Sequence, residues 1–157
     1  MVNTYTTSAL NQIEIALNTT IEIIDALEET DLQKRLFVNK RSIGELLEHI
    51  AVICKADFLI SNGATQEEMN DYYSSISLKS KKDVKEAIVD NYQFLKDNYM
   101  NLAETQLHEH STSYWGTTYT KYEWLIEIVA HVYHHRAQLH TMLVHGYGKE
   151  LNILLFE

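Results

Sequence analysis

The sequence predicts an all-α protein, an antiparallel four-helix bundle, and three observations carry that expectation. The 157-residue chain has no proline and only five glycines, so the strongest helix breakers and the residues of tight β-turns are scarce. Four long segments repeat apolar residues at steps of three and four, the period of one helix face. Three of those segments open on Ser or Thr with an acidic residue three positions later, at Ser42, Ser80 and Thr120, a helix-start signal.

Helix one is expected from about Thr6 to Glu28, with Leu10, Ile13, Leu17, Ile21, Ile24 and Leu27 as its stripe. Helix two starts in Ser42-Ile43-Gly44-Glu45 and carries Ile43, Leu46, Ile50 and Ile53 on one face. Its end falls near Asn62-Gly63, a pair suited to a C-terminal cap. Helix three starts at Ser80, buries Val84, Ile88, Tyr92, Leu95, Tyr99 and Leu102, and is expected to end near Gln106. From Leu107 to Tyr119 there is no helical period, which predicts an ordered loop. Thr120 to Glu123 then starts helix four, which runs to Gly146.

The segment from Gly63 to Lys79 is long enough for a crossover past one end of the bundle between helices two and three. No internal repeat, low-complexity tract or domain boundary is visible, so residues 1–157 read as a single domain. The tail from Leu151 to Phe156 is apolar and must pack on the bundle or on a second subunit. Together with the tyrosine-rich helices it predicts a homodimer.

Composition removes several classes of function. Hydrophobic residues at 45% against 22% charged describe a globular chain rather than a disordered one. A net charge of -9 opposes binding to nucleic acid or to an anionic membrane. Lys79, Lys81 and Lys82 sit beside Asp83 and Glu86 and read as a solvated helix start. Cys54 is the only cysteine, which excludes an internal disulfide and a Cys-x-x-Cys site and fits a reducing compartment. The first residues have neither a basic nor an apolar targeting region, and no apolar run reaches the ~20 residues of a bilayer span. These features predict a cytoplasmic protein.

Helix four contains His131, His134, His135, His140 and His145, and helical angle sorts them. With about 100° per residue and His131 at zero, His135 falls near +40°, among Trp124, Met142, Ile128 and Leu139. His134 lies near about -60° and His140 near about 180°, on the flank or in solvent. An imidazole pair at i and i+4 brings two nitrogen ligands to one ion. Helix two offers a third imidazole, because His49 lies on the stripe formed by Leu46, Ile53, Ala56 and Ile60.

The alternative for each is a histidine satisfied by ordinary hydrogen bonds, but one ion coordinates all three inward imidazoles at once. His49, His131 and His135 are therefore the predicted metal ligands. Three histidines without a fourth protein ligand leave an open position for water or substrate, the arrangement of a catalytic site. Glu45 and Glu127, each one turn before a ligand, are candidates to orient it or to shuttle a proton. Cys54 lies about 140° from His49 and reads as a small buried apolar residue. Tyr114, Trp115 and Tyr119 either rim the pocket or pin the loop.

These residues resemble a known family. Ser42-Ile43-Gly44-Glu45-Leu46-Leu47-Glu48-His49-Ile50-Ala51, followed by His131-Val132-Tyr133-His134-His135-Arg136-Ala137-Gln138-Leu139, is similar to the DinB-like (YfiT-like) bundle proteins in order and spacing. Ala137 stands where a glycine is frequent. The resemblance implies one divalent metal, commonly nickel or zinc, on His49, His131 and His135. It also implies a homodimer and, in some members, thiol S-transferase chemistry with a low-molecular-weight thiol such as bacillithiol. A divalent-metal-dependent enzyme that conjugates such a thiol to an electrophile is the expected function. A non-enzymatic metal-binding stress or small-ligand-binding protein is the alternative.

Overall fold

The computed structural model describes residues 3–157; Met1 and Val2, where the targeting features were sought, lie outside the described residues. Helix α1 spans Thr4–Asp25, two residues earlier than its apolar stripe required, because the Asn3 side chain accepts from the backbone N–H groups of Tyr5 and Thr6. It also stops short of Glu28. The chain turns instead into a short 3-10 segment, Glu29–Gln33, fixed by Asp31 accepting from the Glu28 backbone N–H at 2.8 Å.

Helix α2, Ile43–Ser61, starts in the expected capping box at Ser42 and Glu45. It ends at Gly63, whose positive φ lets the Ala64 N–H return to the Leu59 carbonyl at 3.0 Å, a Schellman closure. The crossover segment is not structureless. It contains helix α3, Gln66–Ser75, capped by Thr65 and Glu68. Helix α4, Lys81–Met100, ends six residues before Gln106, and a separate single turn, α5, covers Glu104–Leu107.

The expected loop holds a small antiparallel hairpin, β1 His110–Thr112 paired with β2 Thr118–Thr120, with Ser111 opposite Tyr119. Helix α6, Lys121–Thr141, starts from the Thr120 capping box, and a single wide turn carries it through Met142–Gly146.

The four long helices form the bundle, and cross-helix pairs give their directions. Asn91 of α4 donates to the Ala51 carbonyl of α2 at 2.8 Å, and farther along the rings of Phe58 and Phe94 meet at 5.3 Å. Helices α2 and α4 therefore run parallel, so the chain must travel back along the bundle through α3. The crossover is real. Near its arrival point Leu78 donates its backbone N–H to Glu48 of α2 at 2.8 Å. Antiparallel neighbours are α1 with α4, joined by Lys85–Asp25 and Tyr92–Glu14, and α2 with α6.

Ile13, Ile23, Ile24, Leu47, Ile50, Leu95, Leu125, Ile128, Val132 and Leu139 meet in the core. Burial of such side chains, each worth ~1.5–3 kcal/mol, is the main term holding the helices together. The tail packs on its own bundle by alternation. Leu151, Ile153 and Leu155 turn inward, while Leu154 and Phe156 stay exposed. Arg136 holds this tail from within. Buried at 3% exposure, it donates to Thr19 Oγ1 at 2.8 Å and to the Leu155 carbonyl, and its guanidinium lies against the stacked pair of Tyr133 and Phe156 rings. No helix among the described residues is long and apolar enough to cross a membrane.

Candidate metal centre

Helices α2 and α6 face each other across the bundle, and their inward stripes bring His49, His131 and His135 together. The ring centroids of His49 lie 5.4 Å from those of His131 and 4.4 Å from those of His135, and His131 and His135 are 4.8 Å apart. One ligand atom from each falls within 4.8 Å of the other two. The closest pair is His49 Nε2 and His135 Nε2, at 3.0 Å. A tetrahedral ion with bonds of ~2.0–2.1 Å sets its ligands a little over ~3 Å apart, so the imidazole set fits a divalent transition ion.

Two of the three rings are oriented from behind. Asp57 Oδ2 lies 2.6 Å from His131 Nδ1, which places the proton on Nδ1 and leaves Nε2 free to ligate. Gln138 does the same for His135: its Oε1 accepts from Nδ1 at 2.7 Å, while its Nε2 donates to His134 Nε2 at 3.2 Å. The amide orientation is thus fixed from both ends. His134 itself is exposed; its ring lies edge-on to that of His135 at 4.8 Å, and its Nε2 accepts from Gln138.

The electrostatics differ from ring to ring. Burial, aided by the nearby charge of Arg41 and the other two imidazoles, pushes His49 down to about 3 and keeps it neutral, as a ligand must be. Burial likewise lowers His135 despite the Gln138 hydrogen bond. For His131, burial opposes protonation, but the hydrogen bond and charge of Asp57 and the charge of Glu127 outweigh it and raise its affinity for a proton. Glu127 Oε1 is 3.9 Å from His131 Nδ1, and burial together with the Asp57 charge lifts its carboxyl to about 7.

The other residues singled out in the sequence separate clearly. Glu45 borders the pocket beside His49, but both of its oxygens are engaged elsewhere, Oε2 capping the Ser42 N–H at 2.7 Å and Oε1 on Arg35 at 2.9 Å. It is a helix-start residue. Cys54 is buried in the core, where loss of solvent pushes its thiol pKa up. Tyr114, Trp115 and Tyr119 form an edge-to-face cluster ending on Trp124, whose Nε1 donates to the Ser111 carbonyl at 3.2 Å. They pin the hairpin down.

Asp57 and Gln138 were not singled out. The signal for Asp57 was a lone carboxylate in the otherwise apolar run Ala56-Asp57-Phe58-Leu59-Ile60. Gln138 stands one turn after His134 on the face that meets His135.

The sequence profile of the DinB superfamily matches residues 12–139. The chain belongs to the DinB superfamily. Among solved structures it is similar to a putative DinB-family member from Exiguobacterium sibiricum, with 30% identity, a TM-score of 0.84, and coverage of 99% of this chain and 100% of the other. A DinB-like protein of Bacillus subtilis, YjoA, shares the fold at 16% identity and a TM-score of 0.71, over 96% and 97% of the two chains. A DinB-like protein of Bacillus cereus does so at 17% identity and a TM-score of 0.65, over 94% and 93%. Curated proteins give no match. The expected family and fold are thereby shown for this DinB chain, and its His cluster is a potential metal site.

Proposed function

We propose that this DinB protein is a divalent-metal-dependent enzyme of the cytoplasm that transfers a low-molecular-weight thiol to an electrophilic small molecule. The observation that carries this function is the convergence of His49, His131 and His135 beside open space, with Asp57 and Gln138 occupying only the rear nitrogens of two rings. His49 lines a pocket of about 280 Å³ together with Arg41, Val52 and Tyr73. Zinc or nickel suits three imidazoles. When bound, such an ion supplies Lewis acidity that favours the thiolate over the thiol.

The chain's own residues do the rest. Asp57 and Gln138 hold the rings in the ligating tautomer, and burial keeps His49 and His135 neutral. The proton that the thiol gives up passes to solvent through the open pocket beside His49. The sulfur then forms a bond to the electrophilic carbon, and the leaving group departs with its bonding electrons.

A second function is favoured by one observation. The larger cavity, about 690 Å³, has an apolar wall of Leu36, Phe37, Leu46, Ala137 and Met142 with polar side chains around it, and reaches His134 and Gln138 but none of the three imidazoles. A non-enzymatic protein would use it to sequester a small ligand or to serve under stress.

Elemental analysis of the purified protein, followed by conjugation of low-molecular-weight thiols to a chlorodinitrobenzene acceptor, decides between them. Stoichiometric metal with conjugation that His135→Ala abolishes supports the enzyme. Stoichiometric metal with no acceleration by any thiol supports sequestration.

A further inference from the structure

Arg41 stands immediately before Ser42, the cap of α2, and is exposed at the border of two cavities. It lines both the smaller pocket that contains His49 and the larger one that contains Leu36, Phe37, Leu46 and Met142. Glu45 and Glu48 line the smaller pocket with it, but neither pairs with its guanidinium. Glu45 is divided between Arg35 and the Ser42 N–H, and Glu48 accepts from the Leu78 N–H. Among the described residues Arg41 forms no hydrogen bond or ion pair, whereas Arg35, six positions earlier, has both. Its charge nevertheless reaches the site, since it helps burial to depress the proton affinity of His49 and His135 and offsets part of the rise at His131.

An uncommitted guanidinium in a chain of net charge -9 is a local exception to a field that repels anions. Its planar fork matches carboxylate and phosphate oxygens two at a time. Lys40, beside it on the rim of the larger cavity, adds a second positive charge. Beyond these cations the larger cavity is walled by Leu36, Phe37, Leu46, Ala137 and Met142, which receive an apolar body.

We propose that Arg41 is the anion-recognition residue of this protein, and that the molecule it receives is amphipathic. An apolar body sits in the 690 Å³ cavity and a carboxylate or phosphate group sits on the guanidinium, one step from His49. The assignment rests on the proposed function only in making that molecule a reactant.

The test is calorimetric binding of octanoate, octyl phosphate and neutral octanamide to the metal-replete protein, its Arg41→Gln variant and its Arg41→Lys variant. At least one anion is expected to bind ten times more tightly than octanamide, and which anion does so names the oxyanion. Arg41→Gln should bring that anion down to the octanamide level, and Arg41→Lys should keep part of the preference. Unchanged thermal melting shows that each variant is folded. Equal binding of all three probes overturns the proposal. So does a preference that survives Arg41→Gln, which places the anion elsewhere, for instance on the metal. None of the probes carries a thiol, so this result is independent of the conjugation assay. Conjugation that fails while the anion preference holds removes the thiol chemistry and leaves Arg41 assigned.

Discussion

Asp57 of α2 and His131 of α6 meet at 2.6 Å, and this contact joins the bundle's packing to its chemistry. A carboxylate behind a ligating imidazole raises its basicity and fixes its tautomer, and loss of such a partner typically weakens metal binding ~10–100-fold. Asp57→Ala should show a loss in that range in a competition titration against a chelator. Asp57→Asn keeps an acceptor for Nδ1 and should fall between the two. An Asp57→Ala protein with wild-type affinity would deny the carboxylate any such role.

Replacing His49, His131 or His135 with alanine should each abolish stoichiometric metal in elemental analysis. His134→Ala should retain most of it, because His134 is exposed, its Nε2 is turned to Gln138, and it lies outside the set of three converging ligand atoms. The reverse pattern, with metal lost from His134→Ala and kept in His135→Ala, would mean that the ion sits elsewhere.

The hydrogen bond from Lys34 and the Glu28 N–H, with the charge of Lys149, holds the Asp31 carboxyl down at about 2. Because its folded value lies below the unfolded one, Asp31 stabilises the fold above the ordinary carboxylate range. That contribution disappears as pH falls from about 4 to about 2. Asp31 is buried but its partner Lys34 is half exposed, so the effect is set below the full linkage value. Asp31→Asn should cost roughly 1–2 kcal/mol in urea unfolding at pH 7. Near pH 2 the two proteins should unfold alike; a gap that persists there would assign the effect to packing.

A Cβ on Gly44 would lie 2.8 Å from the Leu32 backbone carbonyl oxygen, so the first turn of α2 and the 3-10 segment touch backbone to backbone. Gly44→Ala should destabilise by about 1–3 kcal/mol, as overpacking does, with a lower thermal midpoint. An unchanged midpoint would mean that the 3-10 segment moves away freely.

Phe37, Val38, Leu154 and Phe156 are exposed on the single chain, and we propose that a second copy covers part of this apolar surface. Sedimentation at micromolar concentration should give twice the chain mass. A monomeric mass would overturn the homodimer.

The long helices were legible because each wrote an apolar stripe into the sequence and three of them a start signal as well. The three imidazoles were legible for the same reason: His49 and His135 interrupt apolar stripes, and a polar residue there needs an explanation. Helix α3 carried a start signal at Thr65 and Glu68, yet among its residues only Met69 is buried, so no stripe announced it. The β1–β2 hairpin has three-residue strands, too short for a period of two to show. Asp57 depends on a partner 74 residues away, and local pattern does not encode such a pairing. Glu45 and Glu127 looked equivalent by position; a cap and Arg35 claimed the first, and burial kept the second beside His131.

The separation of Asp57 and His131 along the chain also sets an order of events in the cell. At a synthesis pace of ~5–20 residues per second, roughly 4–15 s pass between the emergence of α2 and that of the α6 histidines. During that interval His49 is a lone imidazole with no partners to hold an ion. Loading of the proposed metal would therefore be a late step, open only to a chain whose distant halves have already closed on each other. A stalled or truncated product would lack the second half of the proposed site, so metal bound to this protein would count finished bundles rather than chains begun.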